Sequence, residues 1–334
     1  MRAAVLGAGS WGTTFAQILC HAGTSTVLYS RRAEVAKAIS VRHENPEYLP
    51  GVVLPGSLTA TSDVAEALDG ADFVVFAVPA QSLRGHLKQW APLVPPQALL
   101  VSLLKGIEHG TCARMSEVIA EVLEIPAERI AVITGPNLAA EIAARQFTAS
   151  VVACTDLAGA ESMQKACHTV YFRPYTNTDV VGCELGGAVK NIIALAVGIA
   201  VAMGLGDNTR ATLITRGLAE MARLGSALGA VTQTFAGLAG MGDLVATCSS
   251  PLSRNRTFGE NLGRGLSVTE ASEAMSQTAE GVASCRPVLT LAQRHGVEMP
   301  ITEVVAAVMY DGLPVRRAAT MLASRAAKPE WYGP

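Results

Sequence analysis

The sequence predicts two units of different class: a doubly wound α/β domain over residues 1–178 and an all-helical domain over residues 179–334. Three observations predict it. Apolar strand-like runs alternate with helix-like segments as far as about residue 150, the pattern of a parallel sheet covered on both faces. A glycine-rich turn, Gly7-x-Gly9-x-x-Gly12, joins the first strand to the first helix. After about residue 175 the β-like runs stop, and Ala-, Leu- and Met-rich segments broken by Gly and Asn or Asp take over. The composition shifts within "YFRPYTNTDVVG".

Each element has its own signal. "AAVLGA" opens as a short buried strand, and "SWGTTFAQILCHAG" follows as an amphipathic helix closed by glycine. "STVLYS" is the second strand. "TATSDVAEALDGA" reads as a helix with Ser62 as its N-cap. "DFVVFAVP" is a strand ended by Pro79, and "SLRGHLKQWAPLV" is helical. "ALLVSLLKG", "RIAVITGPN" and "FTASVVACT" read as strands, with the helix "CARMSEVIAEVL" after the first of them. Gly135-Pro136 breaks its strand, and Asn137 is placed to cap the helix that follows. "GCELGGAVKNIIALAVGIAVAMG" reads as a buried helix, because its uncharged run, Asn191 to Gly206, falls short of the roughly 20 residues that span a bilayer.

Composition bounds the function. Half of the 334 residues are hydrophobic and only 16% are charged, enough to build two cores. A net charge of −2 offers no polyanion-binding surface, which argues against nucleic acid as a partner. Seven cysteines without a CxxC pair point away from a disulfide framework or a zinc site, and fit a reducing compartment. The N-terminus lacks the apolar core of a signal peptide, so the expected location is cytoplasmic.

The glycine turn has the context of a dinucleotide-binding, Rossmann-type fingerprint: strand before it, helix after it. The helix N-terminus then presents unpaired N–H groups to phosphates. Where an acid at the end of the second strand would bind a ribose 2′-hydroxyl, this chain has Arg31 and Arg32. Guanidiniums suit a 2′-phosphate, so NADP(H) is favoured, with NAD(H) left open. Lys105 follows a strand end, where ligands of such sheets bind. In the helical half, Asp243 and Thr247 share a face if their segment is helical. Arg254 with Asn255 suits a phosphate or a carboxylate, whereas Arg256 reads as a solvated arginine. Lys190 stands in an apolar helix without a local acid, since Glu184 lies off its face. Two readings stay open for it: a lysine snorkelling from a buried helix, or a desolvated general acid/base.

Taken together and in order, "GAGSWGTTFA", "LLKGIE", "ITGPNLAAEI", "CELGGAVKNIIALAVGI", "GLAGMGDLVATC" and "PLSRNRTFG" resemble the bacterial NAD(P)-dependent sn-glycerol-3-phosphate dehydrogenases, from about residue 2 to about residue 320. The resemblance implies a 6-phosphogluconate-dehydrogenase-like pairing of a Rossmann-type domain with a helical one, and an active site in the cleft between them. It implies reversible reduction of dihydroxyacetone phosphate to sn-glycerol 3-phosphate for glycerophospholipid synthesis. Carried over, it puts Ser10, Trp11, Arg31, Arg32, Ala139, Thr278 and Glu280 at the cofactor, and Lys105 and Arg254 at both cofactor and substrate. Gly135, Asn137, Ser253 and Asn255 fall at the substrate, Lys190 matches the proton donor/acceptor, and Asp243 a substrate-side acid. Asn137 stands where the bacterial pattern has Ser, and Thr278 where it has an apolar residue. The chemistry agrees. A ketone receiving hydride develops negative charge on its oxygen, which a cationic donor stabilises and protonates. Asp243 would orient Lys190, Asn191 and Thr247 would position substrate hydroxyls, and Gly186, Gly187 and Ala188 would leave room for ligands. The apolar helical half also suggests a homodimer. The alternatives are a hydroxy- or keto-acid dehydrogenase of the same architecture and a non-catalytic NADP(H) redox sensor.

Overall fold

The computed structural model describes residues 1–275, 279–326 and 329–330. Its N-terminal part is one eight-stranded sheet in the order β3-β2-β1-β4-β5-β6-β7-β8. The strands are β1 (Arg2–Leu6), β2 (Ser25–Tyr29), β3 (Thr59–Thr61), β4 (Phe73–Phe76), β5 (Leu99–Ser102), β6 (Ile130–Thr134), β7 (Thr148–Cys154) and β8 (Phe172–Asn177). From β1 to β6 every pairing is parallel. Successive side chains feed opposite faces: Ala3 and Val5 enter one core, Ala4 and Leu6 the other, and Phe73/Val75 and Val74/Phe76 divide likewise. Both faces are covered, as the uninterrupted apolar runs require. Strand order reverses between β1 and β4, so a crevice opens beyond their carboxyl ends at Leu6 and Phe76.

Several local expectations need correction. The sheet is not wholly parallel, because β7 runs antiparallel to β6. The connection between them carries only the short helix Ala139–Ala143, and the chain turns back after Gly135 without a full crossover. Two strands escaped the pattern reading. Thr59–Thr61 has three residues, and Phe172–Asn177 is an edge strand with alternating burial and a proline inside it. The segment read as a helix capped by Ser62 therefore starts with β3, and its helix, Val64–Leu68, is capped by Asp63. The Asp63 carboxylate accepts from the Ala65 and Glu66 N–H groups, taking two orphan donors.

Beyond β8 the chain is helical, built around Val180–Ala202. Asp179 caps this core helix by accepting from the Gly182 N–H. At 23 residues it is long enough to cross a membrane, yet 89% of its apolar stretch is buried inside the protein. A helix apolar on all sides needs a complete jacket. The helices Asp207–Ala227, Asp243–Ser249, Arg254–Gly263, Glu280–Arg294 and Pro300–Tyr310 supply it. The two parts join where Val132, Val151 and Ala153 of the sheet meet Val180 and Cys183 of the core helix. A buried polar clamp reinforces the joint: Glu184 accepts from Arg114 Nη1 at 2.6 Å, the Ser116 N–H at 2.8 Å and Ser116 Oγ at 2.5 Å.

Candidate active site

A cleft of about 1380 Å³ runs between the carboxyl edge of the sheet and the helical part. At one end stands the glycine turn. Gly7 has φ +127, and a Cβ there would lie 2.5 Å from the Ala77 carbonyl oxygen, so only glycine fits. A Cβ on Gly9 would meet nothing, which leaves the backbone open for a ligand to approach. Gly9 caps the Ser10–His21 helix without a side-chain hydrogen bond, so that helix start keeps donors for an anion. Trp11 Nε1 and Asn137 Oδ1 are buried without a hydrogen-bond partner among the described residues, one a donor and one an acceptor. This cradle fits a dinucleotide.

At the other end three charged side chains converge from separate elements. Lys190 extends from the middle of the core helix, and its Nζ donates to Asp243 Oδ1 and to Thr247 Oγ1, both at 2.6 Å. Lys105, three residues past β5, donates to Asp243 Oδ2 at 2.6 Å and to the Gly135 carbonyl at 2.9 Å. Asp243 is 1% exposed and sits behind both lysines. Its helix starts at Asp243 itself, and Thr247 is one turn on, on the same face. Lys190 is 6% exposed and does not snorkel, because its ammonium is paired inside the protein with a carboxylate 53 residues on in sequence. Each ammonium has three N–H groups and spends two of them on these partners, leaving one each. Burial lowers the Lys105 ammonium to about 8, with the Asp243 carboxylate opposing.

The remaining polar residues divide into those that face the cleft and those that brace it. Lys105, Lys190, Asn191, Thr247, Ser253, Arg254, Asn255 and Glu280 all line it, with Ser10, Trp11, Arg31, Arg32, Asn137 and Ala139. The Asn191 amide is already engaged, donating to the Gly187 carbonyl at 3.2 Å and accepting from Asn255 Nδ2 at 2.9 Å. Asn255 Oδ1 accepts the Gly281 N–H at 2.9 Å, which ties three helices together. Ser253 caps the Arg254–Gly263 helix, whose N-terminus meets the cleft. Glu280 accepts from the Ala80 N–H at 3.4 Å, and burial raises its carboxyl, with the Ala80 hydrogen bond and the Arg254 charge opposing. Gly135 and Asp243 lie behind the wall, and Thr278 lies outside the described residues.

Three site expectations change. Asn137 does not cap the next helix, whose N-cap is Leu138, but donates to Ser150 Oγ at 3.0 Å. Arg256 is not a solvated arginine, since Nε donates to Glu260 Oε1 at 3.0 Å. Gly186 and Gly187 leave room for protein and not for ligand: a Cβ on Gly186 would overlap the Ala239 carbonyl, and one on Gly187 would lie 3.0 Å from Thr134 Oγ1. Two residues that support or line the cleft gave little signal in sequence. Asn45, 1% exposed, donates to the Ala8 carbonyl at 2.9 Å and to Thr13 Oγ1 at 2.8 Å, anchoring its loop to the glycine turn. His86 stacks on Trp90 at 4.8 Å in the cleft wall. Their i, i+4 spacing was the available clue.

Comparison with known proteins matches both halves of the chain. Residues 2–160 match the family described as NAD-dependent glycerol-3-phosphate dehydrogenase N-terminus, and residues 179–320 the family described as NAD-dependent glycerol-3-phosphate dehydrogenase C-terminus. A Streptomyces griseus protein named glycerol-3-phosphate dehydrogenase (NAD(P)+) is 63% identical over 330 residues, 99% of this chain and 98% of that relative. A Thermobifida fusca protein of the same name is 63% identical over 333 residues, 99% of each chain. Among solved structures, a glycerol-3-phosphate dehydrogenase of Coxiella burnetii superposes with a TM-score of 0.92 at 38% identity, covering 97% of this chain and 99% of that one.

Proposed function

The chain belongs to the NAD-dependent glycerol-3-phosphate dehydrogenase family, and we infer from its site how it reduces dihydroxyacetone phosphate to sn-glycerol 3-phosphate with NAD(P)H, reversibly. One observation carries the mechanism: Lys190 and Lys105 both bind Asp243 in the same cleft as the open glycine turn. A bound nicotinamide cofactor supplies the hydride. Lys190 directs its remaining N–H at the carbonyl oxygen and gives up that proton as the alkoxide forms. Asp243 and Thr247 fix the direction of the ammonium, so no reorganisation is needed when charge develops. Lys105 adds a second cation and, through the Gly135 carbonyl, ties the substrate end to the sheet. Ser253, Arg254 and Asn255, at the start of the Arg254–Gly263 helix, hold the phosphate. Binding energy spent on that remote group then orients the reacting carbon. Asn191 acts by bracing Asn255, and Thr247 by orienting Lys190.

The cofactor reading keeps NADP(H) as the favoured partner and NAD(H) as the second. The product serves glycerophospholipid assembly, and the enzyme works as a cytoplasmic homodimer. Seven free cysteines support a reducing compartment, and sedimentation of the purified protein tests the dimer. The activity test is loss of NADPH absorbance on adding dihydroxyacetone phosphate, alongside a panel of keto acids. Turnover of the phosphate ester alone is the expected result. Turnover of keto acids instead would reassign Arg254 and Asn255 to a carboxylate, and no turnover of any substrate would leave only cofactor binding.

A further inference from the structure

We propose that Glu47 sets the choice between the two nicotinamide cofactors by holding the Arg32 guanidinium, so that the extra phosphate of NADP(H) is read by Arg31. The inference rests on the cleft being the cofactor site. After β2 the sequence offers two adjacent cations, and both line the cleft. The structure treats them differently. Arg32 Nη2 donates to Glu47 Oε2 at 2.6 Å, Arg32 Nε lies 3.8 Å from Glu34 Oε1, and the guanidinium sits 5.8 Å over the Tyr48 ring. Arg31 is exposed and, among the described residues, has no acid within ion-pair distance.

The Glu47 contact is no chance meeting of two mobile surface chains, which would count for little. Its loop is pinned on both sides to the glycine turn and the helix that follows. On one side Asn45 binds the Ala8 carbonyl and Thr13 Oγ1. On the other, Ser10 Oγ donates to the Tyr48 carbonyl at 2.8 Å. Glu47 is therefore held where a cofactor's adenosine end would meet Arg32. Arg32 in turn lowers the Glu47 carboxyl below its ordinary value, so the acid stays charged near neutral pH. Arg32 with Glu47 is close to neutral, which removes one of the two cations that a 2′-phosphate would seek and that a bare ribose hydroxyl has no use for. One cation facing the ribose, where the sequence shows two, suits a chain whose relatives are named for both cofactors.

The test needs no turnover. Calorimetry compares AMP with its 2′-phosphorylated form on the full-length wild type and on E47Q, E47D, R31A and R32A. E47Q is expected to tighten the 2′-phosphorylated ligand about 5-fold relative to AMP, with E47D restoring the wild-type ratio. R31A is expected to weaken that ligand on the order of 10-fold, and R32A by less than about 3-fold. An unchanged ratio in E47Q, or a loss in R32A equal to that in R31A, overturns the proposal. Failure of the wild type to bind AMP at all would sink the cofactor reading of the cleft and this proposal with it, whereas AMP binding with an unchanged E47Q ratio would sink this proposal alone.

Discussion

Asp243 holds the balance of charge at the centre of the site, because each of its oxygens takes one ammonium and two cations share a single anion. Lys105 feels this balance most visibly, with burial bringing it down from 10.5 to about 8. Below pH 8 the folded and unfolded chains both hold that proton. Between about 8 and 10.5 the folded chain has lost it and the unfolded chain keeps it, so this group makes stability rise with pH across that window. Substrate binding moves the opposite way, since a neutral Lys105 no longer attracts a phosphate ester. The kcat/KM for dihydroxyacetone phosphate is expected to fall as pH passes about 8, and a pH profile of Lys105→Arg is expected to lose that limb, the guanidinium staying charged. A limb unmoved in the arginine variant would assign it to another group. At Lys190 the expected change is in the chemical step: Lys190→Ala lowers kcat by on the order of 10³-fold while fluorescence titration shows NADPH affinity intact. A rate within tenfold of wild type would remove Lys190 from its role as proton donor.

The site depends on helices that approach one another more closely than side chains would allow. Gly198 of the core helix touches the Arg254–Gly263 helix, and a Cβ there would overlap the Arg256 carbonyl. That contact fixes where the helix bearing Ser253, Arg254 and Asn255 begins. Gly198→Ala is expected to cost about 1–3 kcal/mol in chemical denaturation and to raise the KM for dihydroxyacetone phosphate more than it lowers kcat. A stable variant with an unchanged KM would show that the phosphate end is set elsewhere. Small residues are legible in the sequence, but their purpose is not. A glycine beside a ligand and a glycine beside a protein group look alike until the partner element is in place, which is why Gly186 and Gly187 read as ligand space, whereas Gly186 packs on the Ala239 carbonyl and Gly187 on the Thr134 and Lys105 side chains.

Across the whole molecule, the sheet carries Lys105 and Gly135, and the helical part carries Lys190, Asp243 and Arg254, so the site exists only while the two parts keep one relative position. The Arg114–Glu184–Ser116 clamp secures that position, and Glu184 lies on the same helix as Lys190. Glu184 is 4% exposed, so truncating it leaves Arg114 with Glu117, at 2.7 Å, as its carboxylate partner and takes the acceptor from the Ser116 N–H and Oγ. Glu184→Ala is expected to cost about 1–3 kcal/mol, read as a lowered denaturation midpoint, together with a loss of kcat at temperatures where the variant remains folded. A variant of normal stability and rate would show that apolar packing at Val132, Val151 and Val180 holds the joint unaided.

The sequence by itself determined the class of each half, the glycine turn and the apolar nature of the core helix, because these depend on local periodicity and on backbone freedom at particular residues. It also offered Lys190, Asp243 and Thr247 as residues of the right chemistry, and the helical spacing of Asp243 and Thr247 gave their shared face. Only the tertiary structure decided what each charge meets. The direction of β7, the edge strand β8, the pairing of Lys190 with Asp243, the holding of Arg32 by Glu47 and the clamp at Glu184 all join residues distant in sequence or brought together by loops. Local periodicity carries no information about such partners, since burial and charge pairing are set by which surfaces meet when the chain closes on itself.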